Sequence, residues 1–199
     1  MEYNTETKPD SPGILFNAVV LVGSKQKILV LRCNLTSYSS TMFVKDEQKP
    51  TLREALIVLA SRIRLNKNIL VRVDNQSSFK SLVCDPVLRK MGVQQELGQS
   101  KNKNKNAVAE KAIKELRSEI LKIAPRGGLI SEGILERATD NLKSLIRYTD
   151  RSAKELWMRR DQTSGSEIQS SDQTILDQQF EARKLSHSHH LNMILEIQI

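Results

Sequence analysis

The run Asn68-Ile69-Leu70-Val71-Arg72-Val73-Asp74-Asn75 is dense in branched aliphatic side chains and stops on two polar residues. It is too short for an ordinary helix, so it reads as a strand over 68–73 buried on both faces, as strands of parallel or mixed sheets are. Asp74 then stands at the strand's end, where a carboxylate can serve a site.

Working upstream, Ile14–Val22 and Lys27–Cys33 flank the turn residues Gly23-Ser24-Lys25-Gln26 and predict a β-hairpin. A third strand is expected over Thr41–Lys45. Pro50-Thr51 opens a helix whose apolar face is Leu52, Leu56, Leu59 and Ile63. Downstream, Ser78–Lys90 suggests a short helix broken near Pro86, and Val93–Leu97 a further strand before a loop. Asn106 starts a long helix with Val108, Ala112, Ile113, Leu116, Ile120 and Ile123 at helical spacing, which Pro125 and Gly127-Gly128 stop. A second helix is expected over Ser131–Tyr148, with Leu145 and Ile146 among its inward residues. Ser152-Ala153-Lys154-Glu155 has the form of a capped start to a third. The order is ββ(β)αβα followed by β and helices, an α/β mixed sheet of about five strands flanked by helices, with a helical C-terminal extension.

The domain reading is a flexible lead over 1–12, a core over 13–160, and a linker with a partly helical tail over 161–199. Asp161–Gln173 is Ser-, Gln- and Thr-rich and reads as linker. No apolar run approaches the roughly 20 residues of a membrane helix, and the polar start lacks the features of a secretory signal, so an intracellular protein is expected. Cys33 and Cys84 form no paired spacing and read as buried free thiols. The net charge of +8 suits a polyanion but does not by itself identify one.

Asp74 and Glu110, with 35 residues between them, are the chemically suggestive pair. A strand-end Asp and a Glu near the start of a long helix can converge across a sheet. Carboxylate oxygens so placed hold divalent cations that polarise a phosphodiester and activate an attacking hydroxyl. The alternative is an Asp that caps its turn and a solvated helix Glu.

Asp74-Asn75-Gln76-Ser77-Ser78-Phe79 and Asn104–Ala112, at this separation, resemble the second and third acidic blocks of retroviral and Ty3/gypsy-type retrotransposon integrases, members of the RNase H-like superfamily. Lys27–Arg32 with Leu35-Thr36-Ser37-Tyr38 is similar to their second strand and bend, and Ser152–Gln162 to their downstream helix. The resemblance spans residues 12–162. It implies DNA as partner, Mg²⁺ or Mn²⁺ as cofactor held by Asp74 and Glu110, a homodimer, and a nuclear place of action. It also implies a first acidic ligand on the first strand, at Val19 or its neighbour Val20. No Asp or Glu occurs from Ser11 to Lys45. The expectation is therefore a catalytically degenerate core with weakened cation binding and little strand transfer. Asn106-Ala107 also departs from the family's Asn-Pro.

Lys103 and Lys105 alternate with asparagines in a loop before Glu110, and Glu110, Lys114 and Arg117 share one helix face. By the resemblance these four basic residues are candidate DNA contacts; otherwise they form a solvated face with pairs such as Lys111 with Glu115. His187, His189 and His190 lack neighbouring cysteines and are read as uninvolved, and Trp157 as a core anchor. Two other readings are a non-catalytic co-opted DNA-binding or interaction module and an RNase H-type nuclease.

Overall fold

The structure, a computed structural model, describes residues 13–23, 25–63, 68–73, 77–97, 107–146 and 151–169, together with 171, 174, 175, 177 and 178. Its strands are β1 (Leu15–Val22), β2 (Lys27–Cys33), β3 (Ser39–Val44), β4 (Ile69–Val73) and β5 (Val93–Leu97). Its helices are α1 (Lys49–Ile63), α2 (Ser77–Lys80), α3 (Pro86–Lys90), α4 (Ala107–Ile123), α5 (Glu132–Ser144) and α6 (Ala153–Met158). The five strands form one mixed sheet in the order β3-β2-β1-β4-β5. β1, β2 and β3 run antiparallel, whereas β4 runs parallel to β1 and β5 parallel to β4. The sequence-based fold class is the one found.

Alternate residues of a strand serve opposite faces, so a sheet covered on both sides needs apolar residues in both registers. On one face Phe16, Ala18, Leu29 and Leu31 pack with Leu52, Leu56 and Leu59 of α1. On the other, Leu21, Ile28 and Val30 meet Ala112 and Leu116 of α4 and Leu135, Ala138 and Leu142 of α5. This is why β1 and β2 are apolar almost throughout.

The α4 face carries one polar row that interrupts this pattern. Asn17 on β1 pairs in register with Arg32 on β2 and with Arg72 on β4, which in turn pairs with Glu96 on β5. Arg32, 2 % exposed, donates from Nη1 to Glu115 Oε2 on α4 at 2.7 Å. Arg72 Nη2 lies 3.2 Å from Glu96 Oε2, and Asn17 Nδ2 donates to Asn34 Oδ1 at 3.2 Å. A cation taken out of water must be matched, and Glu115 supplies the match while fixing α4 to the sheet.

α5 is fixed by a buried hydroxyl pair, Thr41 Oγ1 and Thr139 Oγ1, 2.7 Å apart. Thr139 gives its proton to the Leu135 carbonyl oxygen at 2.8 Å, so Thr41 is the donor between the two. Gln26 ties the β1–β2 turn to the α4–α5 connection, donating to the Ile130 carbonyl oxygen at 2.8 Å and accepting from its N–H at 2.7 Å.

The expected capped start at Ser152 is a complete capping box, with Glu155 accepting from the Ser152 N–H at 2.6 Å and the Ser152 hydroxyl accepting from the Glu155 N–H at 3.2 Å. Trp157 is the core anchor expected of it. It stacks on Tyr38 at 4.8 Å between centroids and meets Phe16 edge-on at 6.0 Å.

Three local expectations are corrected. The helix expected to reach Tyr148 ends at Ser144, and Leu145 and Ile146 are exposed, because the chain turns extended there and Ile146 bridges to Ser152. The break expected near Pro86 is present, with α2 and α3 separated by a turn that Asp85 closes by capping α3. Cys33 is buried, whereas Cys84 is exposed. The stretch read as linker carries local structure: Asp161 closes a tight turn through Thr163 and Ser164, Arg160 bridges to Glu167, and Ile168 is buried. No described helix is long and apolar enough to cross a membrane.

Two buried carboxylates give the fold an acid-sensitive side. Burial pushes the Asp85 carboxyl up, but N–H donors of Leu88 and Val87 and the Lys49 ammonium outweigh it and hold it below its ordinary value. Glu155 is likewise raised by burial and lowered further by Ser152 and Gln162. A depressed folded-state value adds stability that is complete above the ordinary values of 3.8 and 4.5 and is lost as pH falls through the lowered ones. Urea midpoints are therefore expected to be flat from neutrality to about pH 5.5 and to fall below about pH 4.5. The D85N variant should flatten that acid limb; an unchanged limb would remove Asp85 from the account.

Candidate nucleic-acid site

The β1–β4 ladder runs up to the candidate first-ligand position on β1. Its last described rung pairs Ala18 with Val73, the residues immediately before Val19 and Asp74 in sequence. Asp74 itself lies outside the described residues, as do Lys103, Lys105 and the terminal histidines. Glu110 is exposed in the first turn of α4. The first-turn position suits a carboxylate, because the unsatisfied N–H groups at a helix start carry partial positive charge.

Strand parity separates the two candidates for the first ligand position. Val20 packs against the cluster on the α1 face, whereas Val19 is half-buried against the cluster formed by α4 and α5. Val19 therefore shares its side of the sheet with the helix that carries Glu110, and Val20 does not. What it presents there is two methyl groups in apolar contact.

That fact tests the donor set against a pair of divalent cations. Such a pair calls for an anionic oxygen shared between the ions in addition to flanking carboxylates. The candidates number two, Asp74 and Glu110, and Val19 offers no oxygen. The residues do not fit a two-cation centre, and no chemical step is derived through one.

The basic face of α4 is intact. Lys114 and Arg117 are exposed one and two turns beyond Glu110 on the same side of the helix. The pairing expected between Lys111 and Glu115 is present at 4.0 Å, on the neighbouring strip. Lys114 and Arg117 thus project into solvent from a helix held rigidly by Arg32 and Glu115, an arrangement able to meet phosphate oxygens.

Sequence reasoning missed the polar row beneath α4. Its signal was present in the sequence: Arg32 and Arg72 interrupt otherwise apolar strands, and a charge at a buried-strand position demands a partner. The partner of Arg32 comes from 83 residues away, which no local spacing reveals.

No family model and no curated protein matches the sequence. Solved structures do match the fold. A simian T-cell lymphotropic virus intasome, determined in complex with the PP2A regulatory subunit B56 gamma, has a chain similar to this one at a TM-score of 0.68 and 12% identity. The match covers 80% of this chain and 59% of that one, so this chain spans under two thirds of the viral protein's length. The catalytic core domain of BIV integrase is similar at a TM-score of 0.62 and 15% identity, over 73% of this chain and 94% of that domain. The mixed five-stranded sheet and its flanking helices are accordingly those of the retroviral integrase catalytic core, and this is the fold the chain has.

Proposed function

We propose that this protein is an integrase-like core that binds DNA through the exposed face of α4 and the loop before it, and that has lost strand transfer. One observation carries the reading: Val19, on the α4 side of the sheet, makes an apolar contact where the chemistry needs an anion. The net charge of +8 and the exposed Lys114 and Arg117 supply the affinity for a polyanion. Lys103 and Lys105, in the segment before α4, add to it. A cation, Mg²⁺ or Mn²⁺, would be held by Asp74 and Glu110 alone, and weakly.

The test is binding of duplex DNA as a function of salt. Each phosphate neutralised contributes about 0.9 to the slope of log K against log salt, so K114Q/R117Q is expected to lower the slope by about 2 and affinity about fiftyfold near 0.1 M salt. Both side chains are exposed, so the fold should survive the change. An unchanged slope would exclude this helix face from the interface.

A further inference from the structure

An apolar groove of about 420 Å³ runs between the β1–β2 hairpin, the C-terminal half of α4 and the α4–α5 connection. Leu21, Ile28 and Ile120 contribute to its lining. Of the eight large apolar side chains exposed among the described residues, three meet here: Val22 at 49 %, Leu121 at 56 % and Leu129 at 71 %. The walls are preformed, because Gln26 bonds both backbone groups of Ile130 across the groove's end. The lining includes two charged residues, both basic, Lys25 and Arg117. A groove of this kind selects an apolar segment carrying negative charge at its margin.

We infer that the occupant is the segment Leu191–Ile199 of this same chain. Its sequence, Leu-Asn-Met-Ile-Leu-Glu-Ile-Gln-Ile, places apolar residues at 191, 193, 195, 197 and 199, with Ile194 the one apolar residue out of this alternation. In an extended conformation these share one side, the side for the groove floor, and Glu196 falls on the other, toward the rim. Glu196 is the only formally charged side chain from Leu185 to Ile199, so its sign is the one the rim selects. Reach is sufficient. The last described residue is Gln178, and the twelve residues 179–190 span up to about 40 Å when extended, roughly the diameter of a domain this size. The proposal stands apart from the DNA-binding reading, although a segment seated beside Arg117 would compete with phosphate for that residue.

Hydrogen exchange on the full chain, at two protein concentrations, tests it. In L195D/I197D the amides around Val22 and Leu129-Ile130 should exchange about tenfold faster than in the unsubstituted protein. L129D, at a position exposed enough to leave the fold intact, should produce the reciprocal loss of protection across 191–199. Independence of the two segments in both variants would overturn the proposal. So would mutual protection that rises with protein concentration, which would assign the groove to a second copy of the chain.

Discussion

Replacing Glu115 with alanine is expected to destabilise the fold by about 3 kcal/mol, a fall in Tm of roughly 6–12 °C for a chain of this size. Arg32 is 2 % exposed and cannot recover water when its carboxylate is removed. The loss is therefore dominated by the weakened charge compensation of a buried cation beneath α4, and only in small part by the missing contact. R32M provides the contrast, because it replaces the buried cation by an apolar side chain of similar length and leaves Glu115, 20 % exposed, in reach of solvent and of Lys111. Thermal and urea unfolding of the two variants should rank them far apart, with R32M within about 1 kcal/mol of the parent. Equal losses, or an E115A variant as stable as the parent, would show that the pair does not hold α4.

The V19D substitution should have its largest effect on cation affinity. Ligand charge count is a principal determinant of how tightly oxygen sites bind divalent ions, and a third carboxylate is expected to strengthen Mn²⁺ binding about a hundredfold. Paramagnetic broadening of amide signals along β1 and the first turn of α4 reads this directly. V19N, with the same shape and no charge, should gain little. Without cation, V19D should be less stable by about 1–3 kcal/mol, because the carboxylate enters an apolar contact. Metal-dependent joining of DNA ends is expected from V19D only. Robust joining by the unsubstituted chain, or equal Mn²⁺ affinity in both, would defeat the claim that position 19 is where the site was lost.

The fold was largely legible because its elements have clean periods. The hairpin, the strand before Asp74 and the long helix at Ala107–Ile123 each repeat apolar residues at a spacing that admits one structure. Helix ends were less legible. Leu145 and Ile146 continue the apolar spacing of α5, yet the chain leaves the helix before them. The turn at 161–169 escaped notice for a similar reason. Its polar composition argues against order when burial is the only source of stability, whereas Asp161 orders it through local hydrogen bonds. For the candidate site, the basic face could be read from residue types, whereas the expectation of an anion at position 19 came only from the resemblance to integrases. The side of the sheet on which Val19 lies required the register of β1 against its neighbours.

The polar row across four strands bears on which pairing of the strands is possible at all. Sliding β1 by two residues against β2 and β4 would keep every apolar side chain on its proper face, so the hydrophobic pattern alone tolerates that shift. The row does not tolerate it. Asn17 would leave its place between Arg32 and Arg72, and an aliphatic side chain would be set between two cations. In a sheet whose central strand is apolar on both sides, these few polar residues act as the index mark that leaves one alignment standing.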